Sequence, residues 1–260
     1  MLKISLIGAG NVATHLAMQF SKNQSILIKE VYSQKIENAS SLTKKIAQGT
    51  PINTLDFEKS EADIIIVAIK DDAIKTIINQ LKLKKDTIIV HTSGSQSLSI
   101  LENKSNNIGV FYPLQTFSKE KSIDFTKVNI CIESSNEFVE KNLLILSQAL
   151  EANSYFVNSN QRQTLHIAAV FSCNFVNHLW TLSQLYLEKN NINFQLLAPL
   201  LNETLEKALS IAPKNAQTGP AQRNDFKIIE NHIALLKENE NMQNIYQLLT
   251  KSIIELKNKE

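Results

Sequence analysis

The sequence predicts an α/β fold followed by an all-helical region, and two patterns indicate this. In the first half of the 260 residues, short apolar runs alternate with segments of helical periodicity, which is typical of βαβ units and a parallel sheet. From about Asn158 onward, apolar residues recur at helical spacing and strand-like runs cease. We therefore predict two domains, over residues 1–157 and 158–260.

The apolar runs define the predicted strands, and Ile64–Val67 has the continuous branched character of a strand buried on both faces. The strands are predicted over Lys3–Ile7, Ile26–Tyr32, Asp63–Ala68, Thr87–His91, Ile108–Phe111, Val128–Glu133 and Ser154–Val157. The helices are predicted over Val12–Lys22, Ile36–Gln48, Asp72–Leu81, Asn136–Ala152, Gln161–Glu188, Phe194–Ile211, Asp225–Glu238 and Met242–Lys257.

Composition narrows the function classes. A net charge of +2 gives no electrostatic reason to expect a nucleic-acid or membrane partner. No apolar run approaches the ~20 residues that span a bilayer, and the N-terminus has the pattern of a strand rather than a signal peptide. Cys131 and Cys173 lie in apolar segments without metal-ligand spacing, so we expect reduced core thiols. These features predict a cytoplasmic protein.

A GxGxxA motif joins the first predicted strand to the first helix. Gly8 would permit a tight turn, Gly10 would let the backbone approach a pyrophosphate, and Ala13 would let the helix pack on the strand. The pyrophosphate would lie on amides around Asn11 and Val12, at the positive end of the helix dipole. The motif predicts a Rossmann dinucleotide-binding domain.

The tip of the second strand favours NADP over NAD. An NAD-binding domain would place an acid here, about 20 residues past the glycines, whereas this chain offers Ser33 and Lys35. A hydroxyl and a cation suit a 2′-phosphate, although Lys35 alone would also be an ordinary solvated residue. Glu30 is the nearest acid, but it falls inside the strand.

Small and hydroxyl side chains follow the next two strands. Ala68 and Ile69 would line a ribose, and one of the two aspartates that follow them would cap the next helix. Thr92 and Ser93 would hydrogen-bond a ribose or a reacting oxygen, or they would simply form a serine-rich turn. His91 is expected inside the strand, as a core histidine.

Two later segments supply candidate substrate ligands. Pro113 and Gln115 follow the fifth predicted strand, where a substrate could lie, with a loop held by aromatic packing as the alternative. Pro220 at the first helical position marks a helix start. Arg223 near that start would bind a carboxylate or phosphate, pair with Asp225, or stay solvated.

The predicted helix over residues 161–188 is apolar on most sides yet has polar residues along one arc. At 100° per residue they share about a third of the circumference, and they are His166, Asn174, Asn177, His178 and Thr181. We expect this helix to be mostly buried, and polar groups along one side of a buried helix need partners or a cleft. We predict that His166 donates a proton, with a structural histidine as the alternative. Ligands of such sheets bind at the carboxyl ends of the strands, so the cleft between the two predicted domains is the expected ligand site.

Six ordered motifs are similar to one family: GAGNVATHL, AIKDDAI, HTSGS, GVFYPLQTF, HIAAVFSCNFVNHL and TGPAQRND. They resemble the Rossmann-like NADP oxidoreductases whose second domain is domain of unknown function 2520. These are similar to deazaflavin-dependent NADP oxidoreductases within the 6-phosphogluconate dehydrogenase-like group. The resemblance covers nearly the whole chain and implies homodimers through the helical domain.

Two positions depart from what the resemblance implies. Hydroxyacid dehydrogenases of the wider group have Lys and Asn one turn apart; if Asn174 matches that Asn, Val170 occupies the Lys position. Tyr112 stands where many close members have His before Pro-Leu-Gln.

The sequence thus predicts an NADP(H)-dependent oxidoreductase that transfers a hydride to or from a small, anionic carbonyl or imine substrate. His166, Asn174 and Ser93 are its predicted catalytic residues, with Arg223 holding the anionic group. The alternative is a non-catalytic NADP-binding sensor or scaffold, which the missing Lys favours.

Overall fold

A computed structural model describes residues 1–259 and divides the chain into two compact units, Met1–Cys173 and a second unit beginning at Asn174. The sequence places the boundary after Val157, where the strands end. The first unit also includes the following helix, in which Arg162 is bonded to Glu133 of the seventh strand and Gln163 donates to the Ser95 carbonyl oxygen in the turn after the fifth strand.

The first unit contains an eight-stranded sheet in the order β3-β2-β1-β4-β5-β6-β7-β8. Its strands are β1 Leu2–Ile7, β2 Ile26–Tyr32, β3 Thr50–Ile52, β4 Ile64–Val67, β5 Ile88–His91, β6 Ile108–Leu114, β7 Asn129–Ser134 and β8 Asn153–Phe156. All neighbouring pairs are parallel except β6 and β7. The predicted α/β class is confirmed. The chain reverses its direction of growth between β1 and β4, where ligands of such sheets bind.

Helices cover both faces of this sheet. They are α1 Asn11–Phe20, α2 Ile36–Ile46, α3 Asp71–Gln80, α4 Glu137–Ala149 and α5 Ser159–Ala169. Strand β4 shows the two-sided burial: Ile64 and Ile66 join the core shared with α1, α2 and α4, while Ile65 and Val67 join the core shared with α3. Burial on both faces explains the continuous apolar run.

Three strand predictions need correction. β3 was missed, because a three-residue edge strand containing Pro51 lacks the usual apolar pattern. β7 runs antiparallel to β6, so the sheet is mixed rather than wholly parallel. β6 continues through Pro113, which pairs with Ile130. Its pairing with β5 ends at Val110, so a proline beyond that point interrupts no ladder on that side.

The second unit is helical, and within the described residues no strand follows β8. Its helices are α6 Val176–Lys189, α7 Ala198–Ile211, α8 Pro213–Ala216, α9 Pro220–Arg223, α10 Phe226–Leu235 and α11 Glu240–Lys257. The long helix predicted over Gln161–Glu188 is interrupted by a π-helical segment, Val170–Phe175. Among residues 1–259, no helix is both long and apolar enough to cross a bilayer.

The long helix was also expected to be mostly buried, and this is wrong. None of the described residues of α6 is buried. Across residues 174–259 three side chains are buried, namely Ala221, Ile229 and Leu236. The apolar faces of this unit are therefore open in the single chain.

Candidate functional site

The turn between β1 and α1 has the backbone geometry of a phosphate cradle. Gly8 has φ of 126°, and a Cβ built there would lie 2.2 Å from the Ala68 carbonyl oxygen. A Cβ at Gly10 would meet nothing within 4 Å in the described structure, so the space in front of it is open. Ala13 is fully buried beneath the turn. The chain itself therefore requires glycine at position 8, whereas glycine at position 10 leaves room for a ligand.

The N-terminus of α1 is suited to an anion. Within the described residues, Gly10 at the N-cap provides no side-chain cap, and the first turn contains no acid. The first amide groups of a helix lack intrahelical partners, and the helix dipole adds positive potential there. A pyrophosphate would satisfy both.

A cavity of about 700 Å³ opens in front of this turn, at the point where the sheet order reverses. It is lined by the glycine turn, the tips of β2 and β4, the starts of α2 and α3, and one distant lysine. The lining residues are Gly8, Ala9, Gly10, Asn11, Val12, Tyr32, Ser33, Gln34, Lys35, Asn38, Ala68, Ile69, Lys70, Ala73, Ile77 and Lys119.

The cavity brings together eight of the predicted cofactor residues: Gly8, Gly10, Asn11, Val12, Ser33, Lys35, Ala68 and Ile69. Of the described residues that were also predicted, Ala13, Thr92 and Ser93 do not line it. Sequence reasoning missed Asn38 and Lys119. Asn38 lies one turn into a predicted helix, and Lys119 comes from a loop whose position no local pattern indicates.

Glu30 does not face the ribose position. Its carboxylate accepts hydrogen bonds from the hydroxyls of Ser5 and Ser60, the latter at 2.9 Å. The tip of β2 lines the cavity with Tyr32, Ser33, Gln34 and Lys35, and among these Lys35 provides a positive charge and Ser33 a small hydroxyl. The local chemistry therefore fits a 2′-phosphate better than a free 2′-hydroxyl.

His91 is a core histidine, as predicted. Its Nδ1 accepts a hydrogen bond from the Ser93 amide at 3.2 Å, and its Nε2 lies 3.3 Å from the Ser97 carbonyl oxygen, to which it donates. Burial, reinforced by the Arg162 charge, lowers the pKa of His91 to about 4. The ring is therefore neutral at physiological pH and shapes the turn after β5.

The Ser93 hydroxyl builds the same turn. It accepts hydrogen bonds from the amides of Ser95 and Gln96, each at 3.1 Å. The Ser95 hydroxyl donates to Asp71, so this carboxylate binds the turn instead of capping α3, whose N-cap residue is Lys70. The expectation that Asp71 or Asp72 caps the helix is wrong, because the helix already begins at Asp71.

Tyr112 and His166 form a side-chain pair at the carboxyl ends of β5 and β6. Tyr112 Oη lies 3.1 Å from His166 Nδ1, and the rings meet edge to face. A Cβ at Gly94 would lie 2.7 Å from His166 Nδ1 and 2.8 Å from Tyr112 Cζ, so glycine makes room for the pair. Burial raises the pKa of Tyr112 to about 12, which keeps its hydroxyl protonated.

A buried ion pair fixes the helix that presents His166. Arg162 is fully buried and bonded to the Glu133 carboxylate, and it donates to the Gln96 carbonyl oxygen at 2.6 Å. Ser159 also binds Glu133 and accepts from the Leu98 amide at 3.0 Å. These bonds tie α5 to β7 and to the turn after β5. Sequence reasoning missed Arg162, because its local surroundings are ordinary polar residues.

The residues predicted to bind substrate lie in different surroundings. Pro113 lies inside β6 and is buried, so it does not follow the strand as predicted. Gln115 is exposed, and its side-chain oxygen accepts from the Thr116 amide at 2.8 Å. Arg223 is exposed in the second unit, in the last turn of α9, and Pro220 starts that helix as predicted.

Asn174 is exposed in the π-helical segment at the start of the second unit. A π segment places more residues in each turn than an α-helix. The single polar arc predicted from His166 to Thr181 at a constant 100° per residue is therefore wrong. The Thr181 hydroxyl instead donates to the Asn177 carbonyl oxygen at 3.1 Å.

The sheet order, the glycine cradle and the cavity at the reversal point define a dinucleotide-binding α/β protein. Residues 3–94 match the family "NADP oxidoreductase coenzyme F420-dependent", and residues 128–253 match "Domain of unknown function (DUF2520)". A "putative NADP oxidoreductase" of Bacteroides fragilis is 37% identical, with a TM-score of 0.86 over 98% of both chains.

More distant structures share the fold. A Thermotoga maritima protein is 18% identical, with a TM-score of 0.70 over 98% of both chains. A reductive aminase of Aspergillus terreus, solved with NADPH and ethyl levulinate, is 16% identical with a TM-score of 0.69, over 98% of this chain and 94% of the aminase. A comparison with curated proteins found no match.

The chain therefore belongs to the NADP oxidoreductase family that joins these two regions. It is an oxidoreductase with a Rossmann-like fold, and its cofactor is NADP(H).

Proposed function

We propose that this oxidoreductase transfers a hydride between NADP(H) and a small, anionic carbonyl or imine compound. The observation that carries the proposal is the Tyr112–His166 pair, which lies at the same carboxyl edge of the sheet as the glycine cradle. When bound, NADPH supplies the hydride. A group that can deliver a proton at this edge would complete the reduction of a C=O or C=N bond.

The proposed proton donor is His166, with Tyr112 holding its ring. In the imidazolium form Nδ1 donates to the Tyr112 hydroxyl oxygen, which fixes the ring. The proton on Nε2 then passes to the substrate, and His166 is left as a neutral imidazole that keeps its Nδ1 proton. Ser93 shapes the turn next to the pair by accepting a hydrogen bond from the Ser95 amide, and its proposed role in catalysis is to position this turn. Asn174 as the residue that orients the substrate and Arg223 as its anion ligand remain predictions from the sequence.

The residues that line the cavity support the proposed cofactor contacts. Gly8, Gly10 and the first amides of α1 would hold the pyrophosphate, while Ser33 and Lys35 would hold the 2′-phosphate.

We further propose that residues 158–260 serve substrate binding and homodimerisation. The exposed apolar faces of the second unit support this proposal. The cytoplasm is the proposed location, because both cysteines are free and a reducing compartment keeps them so.

The test separates cofactor binding from turnover. NADPH affinity is measured by fluorescence and by the rise in Tm that a native-state ligand must cause. NADPH oxidation is then followed on a panel of 2-oxo acids and cyclic imino acids. We expect His166→Ala to lose about 100-fold in kcat, in the range of general acid catalysis, while it still binds NADPH.

A second His–Tyr pair supplies the matched control. His232 Nδ1 lies 2.9 Å from Tyr246 Oη in the second unit, and His232→Ala should leave turnover intact. Equal turnover in wild type and His166→Ala would remove the role of His166. Tight NADPH binding without turnover on the whole panel would favour the non-catalytic sensor or scaffold.

A further inference from the structure

The loop between β6 and β7 is fastened to the helix that begins at the glycine cradle. Asn11 Nδ2 donates to the Phe117 carbonyl oxygen at 2.8 Å, and His15 Nε2 lies 2.8 Å from the Ser118 carbonyl oxygen. The rings of His15 and Phe117 also pack together, with centroids 5.4 Å apart. This loop therefore has a fixed position beside the first turn of α1.

The residue that follows these anchors is Lys119, and it lines the cofactor cavity. The cavity wall thus includes three lysines, the other two being Lys35 and Lys70, and among its described residues it includes no Asp or Glu. The two residues before Lys119, Phe117 and Ser118, are bonded to α1, whose N-terminal amides are suited to an anion. The charge of Lys119 therefore adds to the positive potential of that end of the cavity.

We infer that Lys119 binds a phosphate of the dinucleotide and that the anchored β6–β7 loop serves to hold it there. This inference rests on the dinucleotide-binding part of the proposed function. A solvated lysine would not need the segment before it to be bonded to two side chains of α1. The partner is either the pyrophosphate or the 2′-phosphate of NADPH, since both offer anionic phosphate oxygens to a lysine.

The variant Lys119→Gln removes the charge and keeps most of the side-chain length. We expect the Kd for NADPH to rise about tenfold, as for the loss of one charged hydrogen bond, and to depend less steeply on salt. Lys121→Gln is the matched control, because Lys121 is exposed on the same loop and lies outside the cavity lining.

Parallel titrations with NADPH and NADH identify the phosphate. Equal loss for both places Lys119 on the pyrophosphate, whereas a loss confined to NADPH places it on the 2′-phosphate, and either result supports the inference. Wild-type affinity for NADPH in Lys119→Gln, or the same loss in Lys121→Gln, overturns it. A wild-type protein that binds neither dinucleotide overturns the proposed function instead, and the inference falls with it.

The anchoring is tested separately with His15→Phe, which keeps a ring against Phe117 and removes the bond to Ser118. We expect faster amide hydrogen exchange over residues 115–121 and a weaker NADPH affinity. Unchanged exchange and affinity would show that the His15 bond does not hold the loop.

Discussion

At the scale of single residues, buried polar groups fix the helix that presents His166 to Tyr112. Arg162 and Glu133 form an ion pair whose guanidinium also reaches the turn after β5. Removing one partner of such a pair costs about 3–5 kcal/mol, because the other charge stays buried. In the described structure Arg162 Nε has no partner, so the guanidinium itself is not fully satisfied. The site therefore rests on a pair that tolerates little change.

His91 predicts a pH-dependent stability. Its folded pKa of about 4 lies below the ordinary value of 6.5, so the unfolded chain binds the extra proton first as pH falls. The free energy of unfolding must then decrease as the pH is lowered from about 6.5 to 4. We expect this residue to account for a loss of about 2 kcal/mol between pH 7 and pH 5. Urea unfolding of wild type and His91→Gln at both pH values measures it.

The comparison between these two proteins cancels the other titrating groups. His91→Gln should be less stable at pH 7 but should lose about 2 kcal/mol less than wild type on acidification. An identical loss in the two proteins would show that His91 gains no proton on unfolding.

At the scale of elements, the two glycines of the turn between β1 and α1 have different roles, one in folding and one in binding. Gly8 is required by the chain itself, because its positive φ and the Ala68 carbonyl oxygen exclude a Cβ. Gly10 is not required in this way, since its Cβ position is open within the described residues. Its role concerns what approaches the turn from outside.

Two alanine substitutions test this division. Gly8→Ala should lower the free energy of unfolding by at least about 2 kcal/mol. Gly10→Ala should change it by no more than about 1 kcal/mol, since Gly10 is the N-cap of α1, yet weaken NADPH binding, because the methyl group would lie where the proposed pyrophosphate approaches. Thermal unfolding and NADPH titration measure the two effects. Normal NADPH affinity in folded Gly10→Ala would contradict the pyrophosphate assignment.

The sequence predicted the elements whose causes are local. Seven strands and the glycine turn follow from apolar runs and one motif, and the structure has them within a few residues. The antiparallel direction of β7 was not predictable, since an apolar run is the same read in either direction. The π segment was missed for a similar reason: it changes the turn without changing the apolar character of residues 170–175.

The candidate site divides in the same way. Ser33 and Lys35 were found because they follow a strand directly. Lys119 and Arg162 were not found, because residues far away in the chain position them. The loop that contains Lys119 is bonded to α1, and Arg162 is paired with Glu133 of β7. Tyr112 was noticed as a departure from the family pattern, but its bond to His166 required the fold.

At the scale of the whole molecule, the two units differ in how well each covers its apolar side chains. The first unit has two continuous cores, whereas the second buries three side chains among residues 174–259. Large apolar groups are exposed along its helices, including Leu185, Leu200, Leu205, Leu209, Leu235, Leu248 and Leu256. Helices α10 and α11 also form an apolar groove of about 270 Å³. Open patches of this kind mark association surfaces.

The proposed homodimer predicts which change dissociates it. Leu209 is 79% exposed near the end of α7, and Leu209→Glu places a charge on the apolar face. We expect the dimer Kd to rise at least about tenfold, as for the loss of a central apolar contact, measured by sedimentation velocity over a range of concentrations. Thr204→Glu adds the same charge to an exposed polar position of the same helix and should leave the dimer intact. A monomeric wild type, or equal dissociation of the two variants, would show that this face does not join two copies of the chain.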